Sequence, residues 1–154
     1  MVTPPPDRFP YRLIVAATDG SPCSLNAIRH AAGLAALTGA HLAIIYVVDT
    51  YMSFRMGTHR EMALETLRAD GARALDEALT IARAAGSTDA EVAMISGHPK
   101  EAILAWTKKS GADLLVVGSH GYSGLATFFL GSVAAHAVRH ASCPVLVVRM
   151  AEES

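Results

Sequence analysis

The stretch DLLVVGSHGYSGLATFFLGSVAAHAVRH, residues 113 to 140, sets an apolar run, a connection containing four glycines and a segment of helical period one after another. An apolar run of about five residues closed by turn formers has the length and character of a buried strand. "PVLVVR", 144 to 149, repeats that character after the helical segment. Two strands joined through a helix are read as parallel, because a crossover long enough to hold a helix returns the chain to the same end of the sheet.

The same alternation extends back to the N-terminus. "RLIVAA", 12 to 17, is a strand closed by "TDGSP". Ser21 then supplies a helix N-cap and Pro22 a first helical residue; Leu25, Ile28, Ala32 and Ala35 recur at helical spacing until Thr38 and Gly39. "HLAIIYVVD", 41 to 49, is the second strand, and "TYMSFRMGTHREM", 50 to 62, lacks a clean period and reads as a mobile loop merging into a helix. Leu64, Leu67, Gly71, Leu75, Ala78 and Ala82 share one face of a long helix that ends at Ala85 and Gly86. "AEVAMIS", 90 to 96, alternates in part, as suits a strand at the sheet edge, and Gly97, His98 and Pro99 turn into a helix carrying Ile103, Leu104 and Trp106 that closes at Ser110 and Gly111.

Five strands alternating with helices predict a single-domain α/β protein, an open five-stranded parallel sheet with helices on both faces, Rossmann-like. Right-handed crossovers bring the strand C-termini to one edge. "ATDGS", "YVVDT" and "VGSHG" stand at that edge, where ligands of open α/β sheets bind in the crevice at which the winding reverses.

Glycine lets the backbone take positive φ and lets another group approach closely. Gly118 and Gly121 end one strand, and Gly131 with Ser132 opens the next helix. Backbone N–H groups from both ends of the loop converge on one point, a helix N-terminus adds unpaired donors and partial positive charge, and Ser132 adds a hydroxyl. Phosphate is the guest such a loop takes; the alternative is a tight strand-to-helix connection and nothing more. The loop has neither the lysine of G-x-x-x-x-G-K-[ST] nor the spacing of G-x-G-x-x-G, so neither of those phosphate loops is supported. Asp19 is placed to accept sugar hydroxyls or to hold Mg²⁺ through water, or else to serve as a turn residue before Gly20. His120 is placed to touch phosphate or ribose, or to stand in solvent.

Gly118-x-x-Gly121, nine residues and then Gly131-Ser132 resembles the G-2x-G-9x-G-[S/T] signature of the ATP-binding branch of the universal stress protein family. "VAATDGSPCSLNAI", "AIIYVVD", "SGHPKEAI" and "SCPVLVV" are similar to that family as well, and the likeness covers about residues 10 to 149. The resemblance implies strand order 3-2-1-4-5, with ATP across the C-terminal ends of strands 1 and 4. It implies that Asp19, with Ala17 and Thr18, holds the ribose and a metal near the phosphates. Val47 would read the adenine edge, Gly97 would leave space beside the base, and Val117, Gly118, His120, Gly121, Gly131, Ser132 and Val133 would surround ribose and triphosphate. It further implies a homodimer through the last strand, Val145 to Val148, and a family domain over residues 10–150, flanked by a flexible Pro-rich lead, 1–9, and a tail, 151–154. One departure stands out: Tyr122 occupies a position where many relatives carry Arg or Lys, and no Lys or Arg occurs from Gly118 to Ser132. Phosphate charge must then be met by amides, the helix dipole and Mg²⁺, which leaves the order of affinity among ATP, ADP, AMP and cyclic AMP open.

Composition narrows the remaining classes. A chain of 154 residues that is 51% hydrophobic suits one core, and its longest apolar stretch, Leu42 to Val48, is too short to span a bilayer. The N-terminus has no signal-peptide h-region, so a cytoplasmic location is expected. Cys23 and Cys143 have no metal or disulfide spacing and read as small core residues. A net charge of -1, with Lys108-Lys109 the one adjacent basic pair, speaks against nucleic acid. His136 and His140 are spaced to share a zinc ion but have no third ligand in view, so they read as surface or interface residues. No G-x-S-x-G elbow is present, and the loop offers neither Lys nor carboxylate for a γ-phosphate, so no catalytic residue is assigned and at most slow ATP hydrolysis is expected. Phe128 to Leu130 are expected to pack against the body or a dimer mate. The expected function is an ATP-binding regulatory module of the stress response. Nucleotide orders the 121–131 loop and the 50–62 segment and changes how the dimer engages an unknown protein partner. A slow ATPase or phosphotransferase and a nucleotide-free dimeric scaffold are the alternatives.

Overall fold

In the computed structural model, which describes residues 11–121 and 129–150, five parallel strands form one sheet in the order β3-β2-β1-β4-β5. They are β1 Leu13–Ala17, β2 His41–Asp49, β3 Glu91–Gly97, β4 Leu114–Gly118 and β5 Val145–Val148. Five helices join or flank them: α1 Pro22–Thr38, α2 Thr50–Phe54, α3 Arg60–Ala84, α4 Pro99–Ser110 and α5 Ser132–His140. The 1–9 lead, the 151–154 tail and Phe128 lie outside the described residues.

Successive side chains of a strand point to opposite faces, and the apolar runs split accordingly. Ile14, Ala16, Leu42, Ile44, Leu114 and Val116 pack with Ala27, Ile28 and Ala31 of α1 and Leu75 and Ala78 of α3. Val15, Ala43, Ile45, Leu115 and Val117 pack on the other face with Ile103 of α4 and Ala134 and Ala137 of α5. Fully enclosing a side chain such as Ile14 or Ile44 is worth about 2 kcal/mol, which is why these strands are apolar throughout and do not alternate with polar residues.

The helix boundaries follow local chemistry. Ser21 Oγ accepts the Ser24 N–H at 3.3 Å and Pro22 opens α1, while Gly39 and Gly111 end α1 and α4 in the left-handed conformation at φ 74° and 71°. The 50–62 segment differs from its sequence reading. It contains the one-turn helix α2 and a 3-10 turn at Gly57–His59, and α3 already begins at Arg60. A five-residue helix is too short to show a period; α2 is started instead by Asp49 Oδ1, which accepts the Met52 N–H at 3.0 Å.

At the opposite edge of the sheet, Asp113 Oδ2 accepts the N–H groups of Arg12 at 2.7 Å and Leu13 at 2.9 Å, tying the start of β4 to that of β1. These amides, Leu13's foremost, hold its carboxyl below the usual carboxylate range. Cys23 is buried as expected, whereas Cys143 is half-buried beside the α4–α5 face. Phe129 is 73% exposed and Leu130 37%, so neither packs closely against the body. Among the described residues, no helix is long and apolar enough to cross a membrane.

Gly71 lies where α3 crosses β2. A Cβ there would stand 2.7 Å from the Tyr46 ring and 3.0 Å from the end of Met94. Gly71→Ala gains about 1 kcal/mol of helix propensity, yet overpacking a buried aromatic costs about 1–3 kcal/mol. The expected outcome is a net loss near 1 kcal/mol, read as a lower urea midpoint at unchanged slope. A rise in midpoint would show that Tyr46 yields freely.

Candidate functional site

The site arises where β1 stops. Its pairing with β2 ends at Ala17–Ile45 and with β4 at Ala16–Val116, whereas β2 and β3 stay paired to Asp49–Gly97 and β4 and β5 to Gly118–Val148. The chain leaves β1 toward α1 on one face, and β4 leads to α5 on the other. A crevice opens above β1, the switch point of a doubly wound sheet.

It holds a cavity of about 440 Å³. Ala17, Thr18 and Asp19 line its floor; Val47 lies on the β2 side; Val117, Gly118, His120, Gly121, Gly131, Ser132 and Val133 lie on the side of β4 and α5. Gly97, expected beside the base, lines the adjoining pocket with Tyr51, His98 and Ala102. Its φ of 143° and a would-be Cβ only 3.3 Å from that of Ala102 suit this glycine to the turn from β3 into α4. The cavity also takes in Ser24, Ile45, Asp49, Met52, Pro99, Ile103 and Ala134, which sequence reasoning did not single out. Asp49 had a signal, since "YVVDT" ends a strand at this edge; Met52, Pro99 and Ile103 arrive from α2 and α4 by tertiary packing alone.

The described loop glycines, Gly118, Gly121 and Gly131, make room chiefly for the protein's own backbone and side chains. Neither Gly118, Gly121 nor Gly131 adopts the left-handed conformation. A Cβ on Gly118 would stand 3.1 Å from Cys23 in the first turn of α1; on Gly121, 2.7 Å from Asp19 Oδ2; on Gly131, 3.2 Å from the Ser119 carbonyl oxygen. Gly131 donates its N–H to that same carbonyl at 2.6 Å, which clips the two ends of the loop together. The N-terminus of α5 is thereby held at the cavity wall. It has no side-chain cap and no acidic residue in its first turn, so its leading N–H groups are open to a guest.

A compact polar network shapes the floor. Asp19 Oδ1 accepts the Ser21 N–H at 2.9 Å, and the Thr18 and Ser24 hydroxyls pair at 3.0 Å. His120 Nδ1 and Ser119 Oγ pair at 2.8 Å, and Ser119 Oγ lies 3.6 Å from the buried Cys23 Sγ. Asp19 thus performs the turn role anticipated for it while Oδ2 stands beside Gly121. Asp19 and Asp49 are the carboxylates among the lining residues, and none of the lining residues is Lys or Arg. No cluster of three or more metal-ligating side chains occurs among the described residues, so a divalent cation here needs oxygens from its guest as well.

Residues 10–149 match the family model of the universal stress protein family. The chain belongs to that family. Universal stress protein MJ0531 of Methanocaldococcus jannaschii is 37% identical over 141 residues, covering 90% of this chain and 82% of that protein. The crystal structure of a universal stress protein in complex with cAMP is 34% identical at TM-score 0.68, covering 90% of this chain and 96% of the other. Universal stress protein UspA from Lactobacillus plantarum superimposes at TM-score 0.80 with 26% identity, over 90% of this chain and 98% of that one.

In this universal stress protein, Gly121→Ala is expected to act through Asp19. The new methyl pushes the carboxylate aside and weakens its bond to the Ser21 N–H, costing about 1 kcal/mol. Amide exchange at Ser21 then speeds up while the sheet amides keep their protection. Unchanged exchange at Ser21 would show that Asp19 swings away without loss of the turn.

Proposed function

We propose that the cavity binds an adenine nucleotide and that the protein acts as a nucleotide-dependent regulatory module of the stress response, with ATP the first candidate and a divalent cation as its companion. The observation that carries this reading is the uncapped N-terminus of α5, held at the wall of a cavity whose other side includes Val47, Met52, Pro99 and Ile103. Anions are stabilised at a helix N-terminus by its unpaired N–H groups and dipole. The phosphates meet Gly131, Ser132 and Val133, the ribose hydroxyls meet Asp19, and the base lies against Val47, Met52, Pro99 and Ile103. Mg²⁺, where the guest is ATP, is held between Asp19 and the phosphate oxygens and neutralises their charge. The related protein crystallised with cAMP supports a nucleotide guest.

Calorimetric titration of nucleotide-stripped protein with ATP, ADP, AMP and cAMP, with and without Mg²⁺, tests the reading, and assay of the ATP afterwards detects breakdown. Ser132→Asp is the decisive variant. Ser132 is exposed, and a carboxylate in the first turn favours α5 by about 0.5 kcal/mol, so folding is retained. The same carboxylate repels phosphate, and affinity should fall at least about tenfold. Wild-type affinity in Ser132→Asp would refute phosphate binding at α5.

The assembly reading is a homodimer through β5. Val147 is half-buried against the α4–α5 face, whereas Leu146 is 38% exposed, so Leu146 is the position at which to perturb an interface without disturbing the core. Leu146→Glu should yield a monomer by analytical ultracentrifugation; a dimer that persists would move the interface elsewhere.

A further inference from the structure

The charge balance of the cavity has a gap. Its described lining holds two carboxylates, Asp19 and Asp49, and no Lys or Arg. Residues 122–128 read Tyr, Ser, Gly, Leu, Ala, Thr and Phe, so that part of the loop contributes no cation by sequence either. A phosphate entering this cavity meets amides and a helix dipole, but also two negative side chains. His120 is the one lining side chain able to take on a positive charge. Its ring is anchored by the pairing of Nδ1 with Ser119 Oγ at 2.8 Å, and Ser119 is itself held, its N–H donating to the Val148 carbonyl of β5 at 2.9 Å.

We propose that His120 makes nucleotide binding proton-linked: the phosphate guest draws a proton onto the imidazole, which supplies the positive charge that the loop otherwise lacks, so affinity rises as pH falls. This rests on the nucleotide reading and adds its regulation. With Ser119 Oγ accepting from a protonated Nδ1–H, the imidazolium keeps that anchor.

The titratable groups that share the described cavity lining with His120 do not mimic this. Asp19 comes from the β1–α1 turn and Asp49 from the end of β2, and gaining a proton at either lowers negative charge without supplying a cation. From α1 comes the Cys23 thiol, reached through Ser119, and from β5 the Val148 carbonyl; the first turn of α5 is without acidic residues. On α4, His98 Nδ1 lies 2.6 Å from Glu101 Oε2 in the neighbouring pocket, so His98→Gln serves as a control for a second histidine near the site.

The test uses cAMP, whose phosphodiester keeps one negative charge throughout, so that the ligand contributes no titration of its own. Calorimetry between about pH 5.5 and 8 should show wild-type affinity about tenfold higher at the acid end, equivalent to one pH unit of linkage. At neutral pH, the binding heat should vary with the ionisation enthalpy of the buffer, with the slope reporting uptake of protons. His120→Gln should bind weakly and with no pH dependence, His120→Arg should bind at every pH about as tightly as wild type in acid, and His98→Gln should behave as wild type. A flat wild-type profile overturns the proposal, as does a slope that survives in His120→Gln or a His120→Arg no tighter than His120→Gln. Absence of cAMP and ATP binding at every pH overturns the nucleotide reading itself, and is told apart from a flat profile by the missing heats.

Discussion

The early end of β1 is the constraint on which the rest of the structure depends. Among the described residues, β1 is the only strand flanked on both sides by strands that outrun it, and Ile14, Val15 and Ala16 are wholly buried. At the C-terminal tip of β1 the "TDGSP" turn must start a helix at once. Asp19 closes the turn on the Ser21 N–H, Ser21 caps α1, and Thr18 and Ser24 satisfy each other's hydroxyls within the same few ångströms. The space left above β1 is the cavity, and its floor is made of the groups that begin α1. Stability of the turn and the chemistry of the floor are therefore one set of bonds.

The glycine-rich connection adds the opposing wall by the same economy. Each described glycine of this connection yields to a neighbour: Gly118 to Cys23, Gly121 to the Asp19 carboxylate, Gly131 to the Ser119 carbonyl. These contacts draw α1, the β1 turn and α5 into one cluster. A structural role and a ligand role for the glycines are thus compatible, since the tight closure that excludes side chains from the loop ends is what leaves the first amides of α5 facing an open space. The dipole and amides of α5 stand there against the charges of Asp19 and Asp49, so the same cavity offers an anion both attraction and repulsion.

Much of the fold was legible in the sequence because it rests on short-range rules. Buried parallel strands read as unbroken apolar runs, and Gly39 and Gly111 mark helix ends because only a residue without Cβ takes the left-handed cap cheaply. The loop residues of the candidate site were legible for the same reason, since Gly118, Gly121, Gly131 and Ser132 lie close together in the chain. The exception is helix α2, which is one turn long and depends on a cap from the end of β2, so no period announces it.

By itself the sequence determined five apolar strands, the helices between them, the parallel sheet that follows and the spacing of the glycines between β4 and α5. These are properties of segments, governed by period, capping and composition. Only the tertiary structure decided that Asp49, Met52, Pro99 and Ile103 share a cavity with Asp19 and α5, and that the two carboxylates stand in a described lining without Lys or Arg. Such neighbourhoods join residues some thirty to a hundred positions apart. They are set by where β1 ends and how the helices pack on the sheet, which no local pattern in the chain encodes.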